Sequence, residues 1–380
     1  VTGEGVRCML MRGGTSKGAY FLARDLPADP GERDDLLLRV LGSPDPRQID
    51  GIGGAHPLTS KVAVVSASAD PSADVDYLFL QVAVDEPVVS GRQNCGNILA
   101  GVGPFAVERG LVEPGGERTD VRIRLVNTGG IATASFATPG GRVDYRGGTA
   151  ISGVPGTAAA VVLGFEDTAG SATGGLLPTG RVLDVIDGVE VTCVDNGMSV
   201  VVAAAEDLGI TGYEPHEELA RDAALLDRVQ SLRLQAGKLM GLGDVSAASV
   251  PKTTLVAPPR DGGVLCTRTF IPVRPHAAIG VLGAISVVTA ALLPGGVAGR
   301  HARLPGGGRF AVGHPTGDGR FAVEHPTVGG RFDVEHPTGH LEVEVELDLS
   351  TDPPTAVRAA NVRTARKLFD GTVYPREGNP

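Results

Sequence analysis

The 380-residue sequence predicts an α+β protein of two similar domains, each with short strands around one apolar, small-residue helix. Three observations point there. Gly (55) and Pro (27) are abundant and Trp is absent, which suits many short strands and tight turns better than a helical bundle. Short apolar or alternating runs, bounded by turn residues, recur along the chain. Two helical segments rich in Ala, Gly and Val, one per half, can be laid over each other with Cys95 on His276 and Ile98 on Ile279. The length fits two domains better than one, and a hydrophobic content of 42% supplies a substantial core.

In chain order, "CMLM" (8–11), "KVAVV" (61–65), "YLFLQVAV" (77–84), "VRIRLVN" (121–127) and "IATASFAT" (131–138) read as strands. Asn97 to Arg109 reads as a helix, kinked at Pro104 and stopped by Gly110. "LLPTGR" (176–181) marks a junction, so the first domain is expected over 1–180 and the second over 181–354. Strands resume at "RVLDVI", "VEVTCV" and "MSVVVAAA", and a helix is expected from Pro215 to Met240, with Leu219, Ala223, Leu226, Val229 and Leu232 along its apolar side. "TTLVAP" and "GVLCTRTFI" continue the strand pattern. The window Ala277 to Leu293 lies between Pro275 and Pro294 and reads as a buried helix rather than a membrane span. Strands are expected near 310, 321, 332 and 341–347, and a final short helix from Ala356 to Phe369.

A formal net charge of −10 argues against a nucleic-acid partner, and no Lys/Arg block suggests a membrane patch. An anionic ligand would need a locally basic cleft to offset that field. Cys8, Cys95, Cys193 and Cys266 show no CxxC or metal-ligand spacing, so neither a disulfide framework nor a resident metal is expected. With no signal-peptide layout, the expected compartment is the cytoplasm.

The residues with chemical promise cluster in a few stretches. In "GRQNCGNILAGVGPFAVERG" (91–110), Cys95 stands at the start of a predicted helix, where unpaired N–H groups favour a thiolate and can hold a carboxylate. Gly96 permits close approach, and Asn94 and Asn97 can cap the helix or bind a polar ligand. Lys61 opens a β-branched strand, where partial desolvation suits it to act as a base. "MRGGTSKGAYF" (11–21) lacks the Walker order, so a nucleotide loop is excluded, but a turn with hydroxyls can bind a carboxylate. Arg12, Lys17, Lys61, Lys252 and Arg274 each neighbour a turn or strand end. Asn196 precedes Gly197 in a turn. Cys8, Cys193 and Cys266 fall in strand-like runs and read as core.

A local repeat, "RFAVGHPTGDG", "RFAVEHPTVGG" and "RFDVEHPTGH", places Arg309, Arg320 and Arg331, and His314, His325 and His336, in phase. Each His precedes Pro, which favours extended or turn backbone, so repeated strand-turn segments are expected rather than a shared coordination sphere.

Taken together, "MRGGTSKGAYF", "IDGIGGAHPLTSKVAVV", "NCGNILAGVGPFAVE", "LLPTG", "PHAAIGVLGA" and "EHPTG" resemble the methylaconitate isomerase (PrpF-like) family, which belongs with the diaminopimelate-epimerase-like fold. The resemblance covers nearly the whole chain. It implies two similar domains, the first completed by the segment 355–380, with the active site in the cleft between them. It also implies a cofactor-independent 1,3-proton shift on an unsaturated tricarboxylate. The favoured substrate is 4-oxalomesaconate, in aromatic-acid catabolism, and the alternative is 2-methylaconitate or aconitate. Lys61 and Cys95 match the family's suspected proton-transfer pair, while Arg12, Thr15, Ser16, Asn94, Gly96, Asn97, Asn196, Arg274 and His276 are candidates for substrate binding. Racemases of the wider fold carry a second cysteine where this chain has His276, which disfavours a two-thiol racemase. The third "HPTG" copy fits the family, and the first two read as an insertion. A small polycarboxylate is the expected partner, and a second copy of the chain the one macromolecular partner considered. A cysteine hydrolase using Cys95 and His276, and a non-catalytic carboxylate-binding protein, stay open as readings of another class.

Overall fold

The structure is a computed structural model that describes residues 5–91, 94–166, 168–304 and 327–377. Contacts divide the chain into one unit of Val1–Glu166 with Val362–Pro380 and a second of Asp167–Asn361. The first boundary falls ahead of the "LLPTG" segment, not at 180. The reason lies in the Asp195 region. Its N–H donates to the Leu176 carbonyl (3.0 Å), and its carboxylate accepts from the Ala172 and Thr173 amides (2.9 and 3.0 Å). These bonds tie the segment to the second unit.

The first unit runs β1 (Val6–Gly13), β2 (Ser16–Leu22), α1 (Pro30–Leu41), β3 (Lys61–Ala67), β4 (Val75–Val82), β5 (Val89–Ser90), α2 (Gly96–Leu99), α3 (Val102–Glu108), β6 (Arg118–Leu125), β7 (Ile131–Ala137) and β8 (Ala160–Phe165). Its strands follow the order β1-β2-β3-β4-β6-β7-β8, with β5 beside β4. One face gives Met9, Met11, Tyr20, Ala63, Val65, Tyr77, Phe79, Val121, Ala134 and Leu163 to a core around Ile98, Leu99 and Phe105, so the sheet wraps α2 and α3. The other face sends Cys8, Ala19, Phe21, Val62, Val64 and Leu80 under Leu36, Leu37, Val40 and Leu41 of α1. Each fully buried side chain of this size contributes about 1.5–3 kcal/mol. A one-residue slip would exchange the two faces, so this alternation fixes where every polar side chain points.

Two of these elements escape the periodicity reading. β2 (Ser16–Leu22) occupies part of the stretch expected to form a turn. α1 begins at "DPGE", where the Asp29 side chain accepts from Glu32 N (3.0 Å), Pro30 takes the first turn, and Gly42 ends the helix at φ 84°. The single helix expected over 97–109 is two pieces. Pro104 has no N–H for the Ala100 carbonyl, and the chain breaks between Leu99 and Val102.

The second unit runs β9 (Asp184–Ile186), β10 (Val189–Asp195), β11 (Ser199–Ala204), α4 (His216–Leu219), α5 (Ala223–Leu239), β12 (Lys252–Ala257), β13 (Leu265–Phe270), α6 (Val281–Leu292), α7 (Val297–His301), β14 (Thr327–His336) and β15 (Gly339–Asp348). Gly283 through Leu292 of α6 are all buried. The helix expected over 215–240 breaks before Asp222, whose side chain caps Leu225 N (3.0 Å). β14 and β15 form a hairpin that turns within the third repeat copy, paired from Thr327↔Asp348 to His336↔Gly339. Arg309, His314, Arg320 and His325, with the strands expected near 310 and 321, lie outside the described residues.

The final helix expected over 356–369 is instead part of β16 (Thr355–Val373). Its first part pairs with β15 (Thr355↔Asp348 to Asn361↔Val343), and its last part pairs with β1 (Ala365↔Gly13 to Val373↔Val6). The Ala, Arg, Lys and Leu content favours a helix locally, and pairing at both ends overrides it.

Candidate active site

The first unit assembles most of the candidate residues around the start of α2. Cys95 is the N-cap residue, extended at φ −128°, ψ 102°, with its carbonyl accepting from Leu99 N (2.9 Å) and from the Tyr77 hydroxyl (3.3 Å). It is a free, half-buried thiol. The others differ: burial pushes the Cys8 and Cys193 thiols up to about 12 and also raises Cys266. α2 has four residues, so α2 offers the backbone N–H groups of one turn rather than the summed dipole of a long helix.

The "RGGTS" stretch is shaped by this helix start. A Cβ on Gly13 would lie 2.3 Å from the Asn97 carbonyl oxygen. At Gly14 (φ +52°) it would lie 2.1 Å from Asn97 Oδ1. Asn97 Nδ2 in turn donates to Thr15 Oγ1 (3.0 Å), so the β1–β2 turn and α2 grip each other. Ser16 is 2% exposed, and its Oγ has no partner among the described residues. Asn94 Nδ2 donates to Thr128 Oγ1 (2.5 Å), and its Oδ1 is likewise buried and unpartnered. Unmet buried oxygens are costly, and a bound polar ligand would relieve them.

Lys61 lies on the same sheet face as Cys95. Val62 and Val64 point toward α1, while Ala63 and Val65 point toward α2 and α3, so the alternation sends Lys61 inward. It is 7% exposed, and its Nζ donates to Gln81 Oε1 (2.6 Å) and stands 5.1 Å from the centre of the Phe79 ring. Gln81 pairs directly across from Lys61, and its amide nitrogen donates to Ser60 O (2.8 Å) and Pro57 O (3.1 Å), which aims Oε1 at the amine. Tyr77 meets the Cys95 backbone, and Phe79 meets Lys61. These aromatics are two residues apart on β4, roughly 7 Å along one face. Amine and thiol therefore share one side of the sheet.

Sequence reasoning missed two residues here. Gln81 is found only from strand register. Arg363 of β16 alternates with Ala365, which belongs to the core around α2, so it points to the same side. Burial pulls its guanidinium down to about 10, and negative charge on Cys95 opposes that shift.

The remaining expected ligands are Arg12 in the first unit and Asn196, Arg274 and His276 in the second. Met9 and Met11 face α2, so Arg12 points out of the opposite face of β1, where Nη1 donates to Gly14 O (2.9 Å), Thr364 O (3.0 Å) and Thr364 Oγ1 (2.9 Å). That places it beside Thr15 and Ser16 of the β1–β2 turn, the residues it is grouped with as a candidate carboxylate ligand. In the second unit, Asn196 is fully buried, accepting from Thr168 Oγ1 (2.5 Å) and donating to Thr289 Oγ1 (2.8 Å). One donor and one acceptor of its amide are used, and they fasten the β10–β11 turn to α6. Arg274 and His276 are exposed. His276 sits in a loop ahead of α6 rather than at its cap, with Nδ1 2.7 Å from Ala278 O. Thr338 of the third repeat copy donates to Ala277 O beside it (2.8 Å).

Comparison with known proteins gives the family and the fold. A family model described as "PrpF protein" matches residues 4–328. The chain is 56% identical to a (4E)-oxalomesaconate Delta-isomerase of Novosphingobium sp. (strain KA1), covering 97% of this chain and 96% of the relative. It is 61% identical to a 4-oxalomesaconate tautomerase of Pseudomonas putida, covering 77% and 81%. The crystal structure of a methylitaconate-delta-isomerase superposes with a TM-score of 0.83 at 34% identity, covering 99% and 96%. The fold is the diaminopimelate-epimerase-like one, strands wrapped around a central helix in each unit.

Proposed function

The chain belongs to the PrpF family, and on that premise we propose that it is a cofactor-independent isomerase of 4-oxalomesaconate, with Lys61 and Cys95 as its proton carriers. The substrate's name gives its chemistry: an oxalyl group on the methyl carbon of mesaconate. That carbon becomes a methylene between a ketone and a carboxylate-bearing double bond. Removing one of its protons gives a dienolate spread over the keto oxygen and the far alkene carbon. Returning the proton to oxygen gives the enol, and returning it to the far carbon moves the double bond. Both outcomes are 1,3-shifts through one intermediate.

The observation that carries the reading is the shared placement of Lys61 and Cys95 around the start of α2. Gln81 holds the amine, and the N-cap position holds the thiol. One group takes the methylene proton, and the other delivers a proton to the second end of the dienolate. Ser16 Oγ, Asn94 Oδ1 and the Gly96 and Asn97 amides are the polar groups available to the substrate's carboxylate, carboxyl and hydroxyl functions. A positioned acid or base contributes about 10²–10⁴ in rate.

The test is turnover and exchange in deuterated water with Lys61→Ala and Cys95→Ala. Each variant is expected to lose at least about 100-fold in kcat. The variant lacking the base should stop deuterium entry at the methylene, and the variant lacking the acid should keep that exchange while losing product. Exchange and turnover untouched in both would sink the assignment. Faster turnover of 2-methylaconitate or aconitate on the same panel would move the substrate while keeping the chemistry.

A further inference from the structure

The outer face of the first unit carries a second concentration of charge that proton transfer does not use. Register places Arg12 directly opposite Lys17 on β2 and directly opposite Arg366 on β16. These are cross-strand neighbours on three adjacent strands, spaced about 4.8 Å apart. Like charges in such positions repel. Neither Lys17 nor Arg366 has a carboxylate partner among the described residues, and the Arg12 hydrogen bonds all go to backbone or hydroxyl oxygens. Burial first, and Arg366 second, hold the Arg12 guanidinium below its ordinary value. A chain with a formal charge of −10 thus keeps three uncompensated cations in a row.

They line a cavity of about 700 Å³. Its far wall is the loop between β7 and β8, which brings Arg146, already paired with Asp144 (3.2 Å). No Asp or Glu lines it, and neither do Lys61, Cys95 or Asn97. At the hairpin tip it reaches Thr15 and borders Ser16, whose side chain the alternation of β2 sends with Tyr20 toward α2.

We infer that this outer cavity is a second anion site, separate from the proton-transfer site, that binds a small polycarboxylate. Three cations about one strand spacing apart match several carboxylates on a short carbon skeleton better than one compact oxyanion. The volume lies in the range of small-molecule sites. Binding there offsets the cross-strand repulsion and braces the hairpin tip that Asn97 holds from the other side.

Citrate and inorganic phosphate are the probes, by calorimetry at low salt. Full-length Lys61→Ala and Cys95→Ala proteins should bind citrate at this site as the unaltered protein does. The double variant Lys17→Gln, Arg366→Gln should lose it, with affinity down at least about tenfold, as expected for lost charge-assisted bonds. Its kcat should stay unchanged. Without citrate, its Tm should equal or exceed that of the unaltered protein, because the repulsion is gone. Citrate binding unaffected by the double variant, or abolished by Lys61→Ala or Cys95→Ala, would overturn the inference. Phosphate bound as tightly as citrate would overturn the polycarboxylate assignment.

Discussion

At the scale of single residues, the four cysteines show how position sets chemistry. Cys8, Cys193 and Cys266 sit in strand interiors, where burial favours the neutral thiol. Cys95 sits at a helix cap with Arg363 pointing to the same side of the sheet. Negative charge on that sulfur opposes the fall of the buried Arg363 guanidinium, so the two groups lie within electrostatic reach. Replacing Arg363 with Met should therefore slow iodoacetamide modification of Cys95 at neutral pH by several-fold, while Arg363→Lys restores much of the rate. A merely structural arginine would leave the alkylation rate unchanged and lower only Tm. Mass spectrometry of the Cys95 peptide reads the difference.

At the scale of elements, the β14–β15 hairpin carries a titrating clamp. His340 Nδ1 lies 2.7 Å from Asp333, and Nε2 lies 3.1 Å from the exposed Asp261. Burial disfavours the imidazolium, but the hydrogen bonds to Asp261 and Asp333 outweigh it, so the folded value is raised above 6.5. A raised folded value gives stability that is full below the unfolded value and fades as pH rises through the folded one. The Tm gap between the unaltered protein and His340→Gln should thus be widest in mildly acidic buffer and close in alkaline buffer. A gap that widens with rising pH would exclude the clamp. Elements also mark how far the sequence is legible. Lys61 and Cys95 stand out locally, because a lysine opening a β-branched run and a thiol before a small-residue helix are unusual placements. Gln81 is visible only when β3 and β4 are put in register, and Arg363 only when β16 is recognised as a strand. That strand hides because its composition favours a helix and its partner β1 lies at the far end of the chain. Arg12 adjoins the β1–β2 turn in sequence, and only the two-residue alternation of β1 shows that it points away from α2.

At the scale of the whole chain, the two units repeat one plan, strands around a small-residue helix, while the "RFxVxHPT" repeat belongs to the second alone. The plan needs one copy of that repeat. β14 runs from the end of the second copy into the third, β15 starts at the end of the third, and Thr338 of the third copy holds the loop beside His276. The sequence also shows what a deletion of residues 309–330 would leave. Gly307 and Gly308 would then precede Arg331, as Gly329 and Gly330 do now. The glycine pair matters: a Cβ at Gly329 would lie 2.3 Å from the Val345 carbonyl oxygen. Pairing from Gly329↔Glu346 onward could thus be rebuilt, and only Thr327↔Asp348 and Val328↔Leu347 would be lost. The shortened chain should keep kcat and KM, with stability lowered by about 1 kcal/mol for two terminal pairs. Loss of activity in a variant whose circular dichroism and Tm stay near those of the full chain would mean that the extra copies take part in function, and the insertion reading would fall.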